Sequence, residues 1–228
     1  MKQVSGFKRP AARHVIPIMM FGITVTPDPM IRIRRGKELS MEKRVLVPVA
    51  DGTEELEAVA MIDVLRRAGA DVTVASVTGN RRITASRGLV IVADCLMEDV
   101  MNLEYDLVVL PGGIPGAENL RDSADLIRLL KRQRESGRLY GAICASPAII
   151  LEHHGLLKGR RATCHPAYIN QLTNKERVTS PVVADGNCIT SQGAGTAVEF
   201  SLALVEKLFG GDKRNEVAAG MAMTSDRR

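Results

Sequence analysis

The sequence of 228 residues predicts an α/β fold with a mainly parallel central sheet, and two observations support this prediction. Beyond residue 43, short apolar runs alternate with segments of helical periodicity, a pattern typical of parallel strands joined by crossover helices. Hydrophobic residues make up 45% of the chain and aromatic residues only 3%. The core is therefore expected to be aliphatic, as it is in parallel strands that are buried on both faces.

Each element is predicted from its own residues. Short runs rich in Val, Ile and Leu indicate buried strands, and apolar residues at intervals of three and four indicate helices. Thr53 is the expected N-cap of the first helix, and Gly69 the residue that ends it. The expected strands are 44–49, 72–77, 106–110, 139–143, 182–184 and 188–190, with extended chain at 87–94 and 161–164. The expected helices are 54–68, 124–136, 147–153 and one that opens at 193–195 and continues through 209.

The basic character of the chain belongs to its first residues. The net charge is +5, but residues 1–40 contain eight Lys and Arg and two acidic residues, which leaves 23 basic and 24 acidic residues for the remainder. We therefore expect a basic N-terminal extension, residues 1–42, and a single α/β domain, residues 43–228. The extension has the composition of either an organelle-targeting segment or a disordered leader. Without targeting, a cytoplasmic location is expected, and the domain has no charge excess that predicts nucleic-acid binding.

Several other classes of site are not indicated. The four cysteines form no closely spaced pairs, so neither a disulfide framework nor a metal site is expected. No apolar run of about 18 residues predicts a membrane span. The chain has neither the dinucleotide fingerprint nor a Walker sequence, so no cofactor is expected. The segment 193–196 fits either a phosphate cradle or a plain tight turn.

Cys144 is the leading candidate for chemistry. It lies where the strand-like run 139–143 gives way to a predicted helix, and small residues surround it in the sequence. Such a turn can hold a nucleophile in a strained conformation and point it into a cleft. The N-terminus of the following helix would then favour the thiolate. The alternative is that Cys144 is small core filler, which is common for a lone cysteine.

Glu57 is the second candidate. On a helical wheel of 54–68 it projects from the middle of the apolar face, near Met61, Val64 and Ala68, whereas Glu55 faces water. The helix dipole explains acids at a helix start, but not a carboxyl aimed at the core. A buried carboxyl tends to keep its proton, so it could donate a hydrogen bond to a thiolate and titrate with it as a coupled pair.

The carboxyl ends of the predicted strands should bring four segments together, because ligands bind there in parallel sheets. These segments are 51–57, 111–116, 144–147 and 193–196. Backbone N–H groups near Gly112 and Gly113, with that of Ala145, could form an oxyanion hole. His165 follows a short extended run and is either a base or a structural residue.

These motifs resemble those of the parkinsonism-associated deglycase family, within the ThiJ/PfpI superfamily, from about residue 43 to 210. The matching segments are Asp51-Gly-Thr-Glu-Glu-Leu-Glu57, Arg66-Arg-Ala-Gly69, Ala85-Ser-Arg87, Val108-Val-Leu-Pro-Gly-Gly113, Ala142-Ile-Cys-Ala-Ser-Pro147, Gly155-Leu-Leu-Lys-Gly159 and Ile189-Thr-Ser-Gln-Gly-Ala-Gly-Thr196. The resemblance implies a flavodoxin-like three-layer sandwich, like that of class I glutamine amidotransferases, and a homodimer.

The resemblance also implies roles for particular residues. Cys144 would be an oxidation-sensitive nucleophile and Glu57 its hydrogen-bonding partner, with His165 nearby. Gly113 and Ala145, together with Gly112 and Glu54, would bind the substrate or its oxyanion. Arg67 and Arg87 would lie near the dimer interface.

The activity implied by the resemblance is cofactor-free conversion of reactive dicarbonyls, such as methylglyoxal to lactate, with removal of early glycation adducts. Two alternatives stay open. One is a redox-sensing chaperone in which oxidation of Cys144 is the signal. The other is a cysteine amidase or peptidase, which is disfavoured because Ala145 stands where peptidase members have histidine. Gln192 replaces an arginine of some members, so an anion contact from that position is not expected.

Overall fold

The computed structural model describes residues 42–223, so the predicted extension lies outside the described residues except for residue 42. Within this range seven strands form one sheet in the order β5-β2-β1-β6-β7-β9-β8, and β3 and β4 form a separate hairpin. All neighbouring strands of the large sheet are parallel except β8, which runs antiparallel to β9. The predicted α/β class is confirmed.

The strands are short and mostly buried. Their bounds are β1 Arg44–Val49, β2 Asp71–Ser76, β3 Arg82–Thr84, β4 Val90–Val92, β5 Cys95–Leu96, β6 Leu107–Leu110, β7 Leu139–Ile143, β8 Val182–Asp185 and β9 Cys188–Ser191. The helices are α1 Glu55–Arg67, α2 Met97–Val100, α3 Gly116–Arg121, α4 Ala124–Glu135, α5 Ala197–Phe209 and α6 Gly211–Gly220. Pro147–Glu152 forms a π-helical segment, and Pro166–Gln171 and Ala194–Thr196 are 3₁₀ turns.

Alternating side chains of β1 reach two separate hydrophobic cores. Leu46 packs in the core beneath α2, α3 and α4, whereas Val45 and Val47 pack in the core beneath α1, α5 and α6. Successive side chains of a strand point to opposite faces, so an apolar run such as 45–47 serves both cores. Helices therefore cover both faces of the sheet, which is the three-layer arrangement predicted from the resemblance.

Several details differ from the predictions. Thr53 does not cap α1, because its hydroxyl accepts from the N–H of Ala50, at 3.0 Å; the N-cap is Glu54. Of the two stretches predicted to be extended, 161–164 joins no sheet, and within 87–94 only 90–92 forms a strand, β4. The hairpin strand β3, the short helices α2 and α3, and α6 were not predicted, since each is too short or too weakly periodic to give a clear pattern.

Among residues 42–223 no helix has the length and apolar character needed to cross a membrane.

Candidate active site

Cys144 lies on a strained turn directly after β7. Its φ of 65° is a left-handed conformation that non-glycine residues rarely adopt. The backbone on both sides of the thiol is fixed by neighbouring segments, since the N–H of Cys144 donates to the carbonyl of Ser191 and its carbonyl accepts from His165. The elbow is also fixed by Ser146, whose buried hydroxyl donates to the carbonyl of Pro111 at 2.6 Å. Strain of this kind persists only where the surroundings over-determine the conformation.

Glu57 reaches the same place from the first turn of α1. Its side chain is fully buried, and Oε2 accepts from the backbone N–H of Gly112 at 2.7 Å. The carboxylate of Glu54 caps the helix by accepting from the N–H of Glu57 at 2.7 Å, so α1 begins at a fixed position. The interaction of Glu57 with Gly112 connects α1 to the end of β6.

Gly112 allows the carboxyl and the thiol to meet. A methyl group at this position would lie 2.5 Å from Cβ of Cys144, 3.1 Å from its sulfur and 2.9 Å from Oε2 of Glu57. Sulfur and carboxyl therefore border one small space, and each group affects the pKa of the other. The absence of a side chain at Gly112 is what allows this approach.

Burial dominates the ionisation of both groups. It raises the pKa of Glu57 from 4.5 to about 7, against the lowering effects of the hydrogen bond from Gly112 and of the neighbouring Cys144 thiol. Burial also raises the pKa of the Cys144 thiol from 9.0 to about 12, and the negative charge of Glu57 adds to that rise. The sequence-based prediction that the surroundings lower the pKa of Cys144 is therefore wrong for a thiol facing an ionised Glu57. The pair therefore loses its first proton near pH 7, mainly from the carboxyl, and holds the second.

Two backbone N–H groups favour negative charge on the sulfur. Those of Gly113 and Ala145 interact with the thiol and lower its pKa, which partly offsets the burial. Gly113 has a φ of 92°, and a methyl group there would lie 2.3 Å from the carbonyl oxygen of Gly52. Its N–H can be presented to the sulfur only because this residue is glycine.

His165 and Gly193 form the outer side of the site. The ring of the exposed His165 accepts at Nδ1 from the N–H of Ala167, at 3.2 Å. A methyl group on Gly193 would lie 3.5 Å from Cδ2 of His165 and 3.9 Å from both the sulfur of Cys144 and Oε1 of Glu57. Four of the expected segments and His165 therefore meet at one edge of the sheet. The sequence analysis expected the segment 193–196 at this site, as a phosphate cradle or a tight turn, but it gave Gly193 no role beside the thiol, because that closeness depends on tertiary structure.

The two predicted interface arginines lie away from this space. Arg67, near the end of α1, forms an ion pair with Asp63, at 2.6 Å. The exposed Arg87 lies on the turn between β3 and β4, and its backbone N–H donates to the carboxylate of Glu55. Glu55 therefore connects α1 to the hairpin turn and does not simply face water, as its place on the helical wheel predicted. Within residues 42–223, no three His, Cys, Asp or Glu side chains form a group that could hold a metal ion.

Fold and site together define a flavodoxin-like α/β protein with a cysteine on a nucleophile elbow beside a buried carboxyl. The family model described as the DJ-1/PfpI family matches residues 43–207, and the chain belongs to this family. This confirms the resemblance that the sequence motifs indicated.

Curated relatives agree with this assignment. The chain is 52% identical over 170 residues to Protein DJ-1 homolog B of Arabidopsis thaliana, an alignment that covers 75% of this chain and 39% of that protein. It is 38% identical over 175 residues to the glutathione-independent glyoxalase DJR-1.2 of Caenorhabditis elegans, covering 76% of this chain and 91% of that protein. The chain thus spans less than half the length of the Arabidopsis relative.

Solved structures show the same fold. A structure described as Toxoplasma gondii DJ-1, oxidized, is similar with a TM-score of 0.77 and 44% identity, over 79% of this chain and 98% of that one. Drosophila melanogaster DJ-1beta is similar with a TM-score of 0.77 and 41% identity, over 81% of this chain and all of that one.

Proposed function

We propose that this protein is a cofactor-free cysteine enzyme that converts 2-oxoaldehydes to 2-hydroxy acids, and that it removes early glycation adducts by the same chemistry. The observation that carries this proposal is the pairing of Cys144 with Glu57 across Gly112. The pair provides a nucleophile and a proton carrier within one space, and the pKa of the carboxyl, about 7, is suited to transfer in both directions near neutral pH. The C. elegans relative, a glutathione-independent glyoxalase by name, supports the same class of reaction.

The first step forms a carbon–sulfur bond. The carboxyl of Glu57, with a pKa of about 7, is the first of the pair to ionise, and it takes the proton of the Cys144 thiol as the sulfur attacks, while the N–H groups of Gly113 and Ala145 favour the charge that forms on sulfur. The thiolate donates an electron pair to the aldehyde carbon, and the carbonyl electrons move to oxygen. The same two N–H groups lie where they can stabilise the developing oxyanion, which then takes the proton of Glu57. The product is a neutral hemithioacetal beside a Glu57 carboxylate.

The second step moves hydrogen between the two carbons of the substrate. The carboxylate of Glu57 removes the proton from the carbon bonded to sulfur, and the hydroxyl proton on that carbon passes to the second carbonyl oxygen, which gives an enediolate. Glu57 then returns its proton to the second carbon, and collapse gives a thioester of the 2-hydroxy acid. Water hydrolyses the thioester and releases the thiolate. One carbon is oxidised and its neighbour reduced, so no external oxidant or reductant is required. His165 is the alternative carrier of this proton.

The test is lactate formation from methylglyoxal without glutathione. Wild type and Cys95→Ser should convert the substrate equally, because Cys95 is a half-buried thiol outside the site. Cys144→Ser should lose activity, and Glu57→Gln should lose at least 100-fold, since general acid–base catalysis contributes about 10²–10⁴-fold. Conversion at the wild-type rate by both variants would refute the proposal.

We further propose that the protein acts as a homodimer through an apolar surface formed by α1 and the β3–β4 hairpin. This surface contains Leu56, Val59, Leu89 and Val92, all between 49% and 62% exposed. The two elements contact each other through Glu55 and Ser86, and exposed apolar side chains grouped on neighbouring elements often mark an interaction site. Val92→Glu should shift the mass in solution from dimer to monomer by light scattering, whereas Leu103→Glu, another exposed apolar position, should not. An unchanged mass for Val92→Glu would place the interface elsewhere.

A second function, redox sensing through Cys144, is favoured by the placement of the two N–H groups against a half-buried sulfur. Peroxide would transfer oxygen to the thiolate, and the resulting sulfinate oxygens could accept from Gly113 and Ala145. The Toxoplasma relative was solved in an oxidized form. Selective gain of two oxygen atoms on the Cys144 peptide under mild peroxide, in a protein without dicarbonyl turnover, would favour this function over the enzyme.

A further inference from the structure

Gly193 lies between β9 and α5, where the loop is held by its own hydrogen bonds. Its N–H donates to the hydroxyl of Thr196, at 3.1 Å. Its backbone is extended, with φ 160° and ψ −167°, a conformation that also accepts residues with side chains. The position therefore does not require glycine for its backbone.

The atoms around Gly193 give a different reason why a side chain is absent at this position. The atoms nearest to a methyl group placed there are Cδ2 of His165, the sulfur of Cys144 and Oε1 of Glu57, at 3.5, 3.9 and 3.9 Å. These are ordinary van der Waals distances, so a methyl group would fit without displacing the protein. It would, however, occupy the space that the three reactive side chains surround.

One oxygen of Glu57 is available in that space. Oε2 is held by the N–H of Gly112, whereas Oε1 is buried and has no hydrogen-bond partner among the described residues. An unsatisfied buried carboxyl oxygen is costly, and it gains a partner when a ligand with a polar hydrogen enters. The two oxygens therefore have different tasks: Oε2 positions the side chain, and Oε1 faces the substrate.

We infer that Gly193 determines which substituent the substrate can carry on its second carbon. This rests on the proposed function. In the adduct, the substrate carbon bonded to the sulfur and the second carbon both lie closer to the sulfur than 3.9 Å. The substituent on the second carbon is the first group that reaches this distance. A hydrogen or a methyl group fits there against Cα of Gly193, and an aromatic or branched substituent does not. The substrates are therefore short 2-oxoaldehydes, with the second carbon beside Oε1 of Glu57.

Gly193→Ala is the direct test, and Gly195→Ala is its matched control. A methyl group on Gly195, two residues further along the same loop, would meet no atom within 4 Å. Alkylation of Cys144 by iodoacetamide and by the bulkier N-phenylmaleimide should be followed by mass spectrometry of the Cys144 peptide. In Gly193→Ala the ratio of the two rates should shift against the maleimide by at least 10-fold, and in Gly195→Ala it should match wild type. An unchanged ratio, or an equal loss of both rates, would overturn the inference.

Turnover gives the second measurement. One methyl group in a tight pocket changes selectivity by about 10- to 200-fold, so Gly193→Ala should favour glyoxal over methylglyoxal by that factor relative to wild type. Equal selectivity in the two proteins would contradict the inference. If wild type converts neither substrate, the proposed enzyme function fails, while the alkylation ratio still decides whether Gly193 limits the space above the thiol.

Discussion

Replacing Glu57 with Gln should remove a pH dependence from the free energy of unfolding. Gln preserves the shape of the side chain, and its carbonyl oxygen can still accept from the N–H of Gly112, so the substitution mainly removes a titrating group. The expected effect follows from the pKa of Glu57, which is raised from 4.5 to about 7 by burial. A shift of that size corresponds to about 3 kcal/mol.

The sign follows from proton binding. Between pH 4.5 and about 7 the unfolded chain has lost the proton of Glu57 while the folded protein still holds it, so the folded state binds more protons. The stabilisation is complete below pH 4.5 and is lost as the pH rises through about 7. About 2.5 kcal/mol of it should disappear between pH 5 and pH 8. This holds whether the resulting charge lies on Glu57 or on Cys144, because the pair loses one proton in either case.

Urea unfolding at pH 5, 6, 7 and 8 measures this effect at a fixed protein concentration. The difference between wild type and Glu57→Gln isolates the pair, because the other titrating groups are common to both proteins. Glu98→Gln, which removes an exposed carboxyl, should follow wild type. A wild-type curve parallel to that of Glu57→Gln within about 0.5 kcal/mol would refute the assignment of the raised pKa, since extrapolation errors are of that order.

Three further outcomes are expected. In Glu57→Gln, the iodoacetamide reactivity of Cys144 at pH 8 should rise, because the charge of Glu57 adds to the raised thiol pKa and Gln carries no charge; unchanged reactivity would mean that the carboxylate does not act on the sulfur. Gly112→Ala should destabilise the protein by about 1–3 kcal/mol in urea unfolding and abolish turnover, since its methyl group would lie 2.5 Å from Cβ of Cys144; wild-type stability would contradict this close approach. Ser146→Ala leaves the carbonyl of Pro111 without its buried donor and should lower stability by about 1–3 kcal/mol, whereas a melting temperature equal to that of wild type would show that another group replaces the hydroxyl.

The main strands and the elbow were predictable because their causes are local. The run 139–143 is apolar and followed by small residues and Pro147, so both the strand and its end can be read from neighbouring positions. The inward direction of Glu57 also followed from the helical period alone. The cap of α1 did not, because Thr53 is used instead to bond Ala50 in the turn after β1.

The ionisation of the site could not be predicted in the same way. The predicted lowering of the Cys144 pKa assumed a regular helix N-terminus beside an accessible thiol. The structure has a π-helical segment beginning at Pro147 and a half-buried sulfur beside another acid, so burial outweighs the N–H groups. Burial and the approach of Glu57 depend on how α1 packs against β6 and β7, which no local pattern contains. The task of Gly193 was missed for the same reason.

Two missing side chains shape this site, and each leaves a different space beside the thiol. Gly112 lets the carboxyl approach the sulfur closely, while the absence of a side chain at Gly193 leaves room beside the sulfur for a carbonyl compound. A side chain at position 112 should separate the thiol of Cys144 from the carboxyl of Glu57. A side chain at position 193 should leave this pair intact but exclude the substituent on the second carbon of the substrate. The strained backbone of Cys144 is consistent with this division, because a relaxed turn would move the sulfur away from the point where both gaps meet. The proposed chemistry therefore depends on the absence of side chains at Gly112 and Gly193 as much as on the thiol of Cys144 and the carboxyl of Glu57.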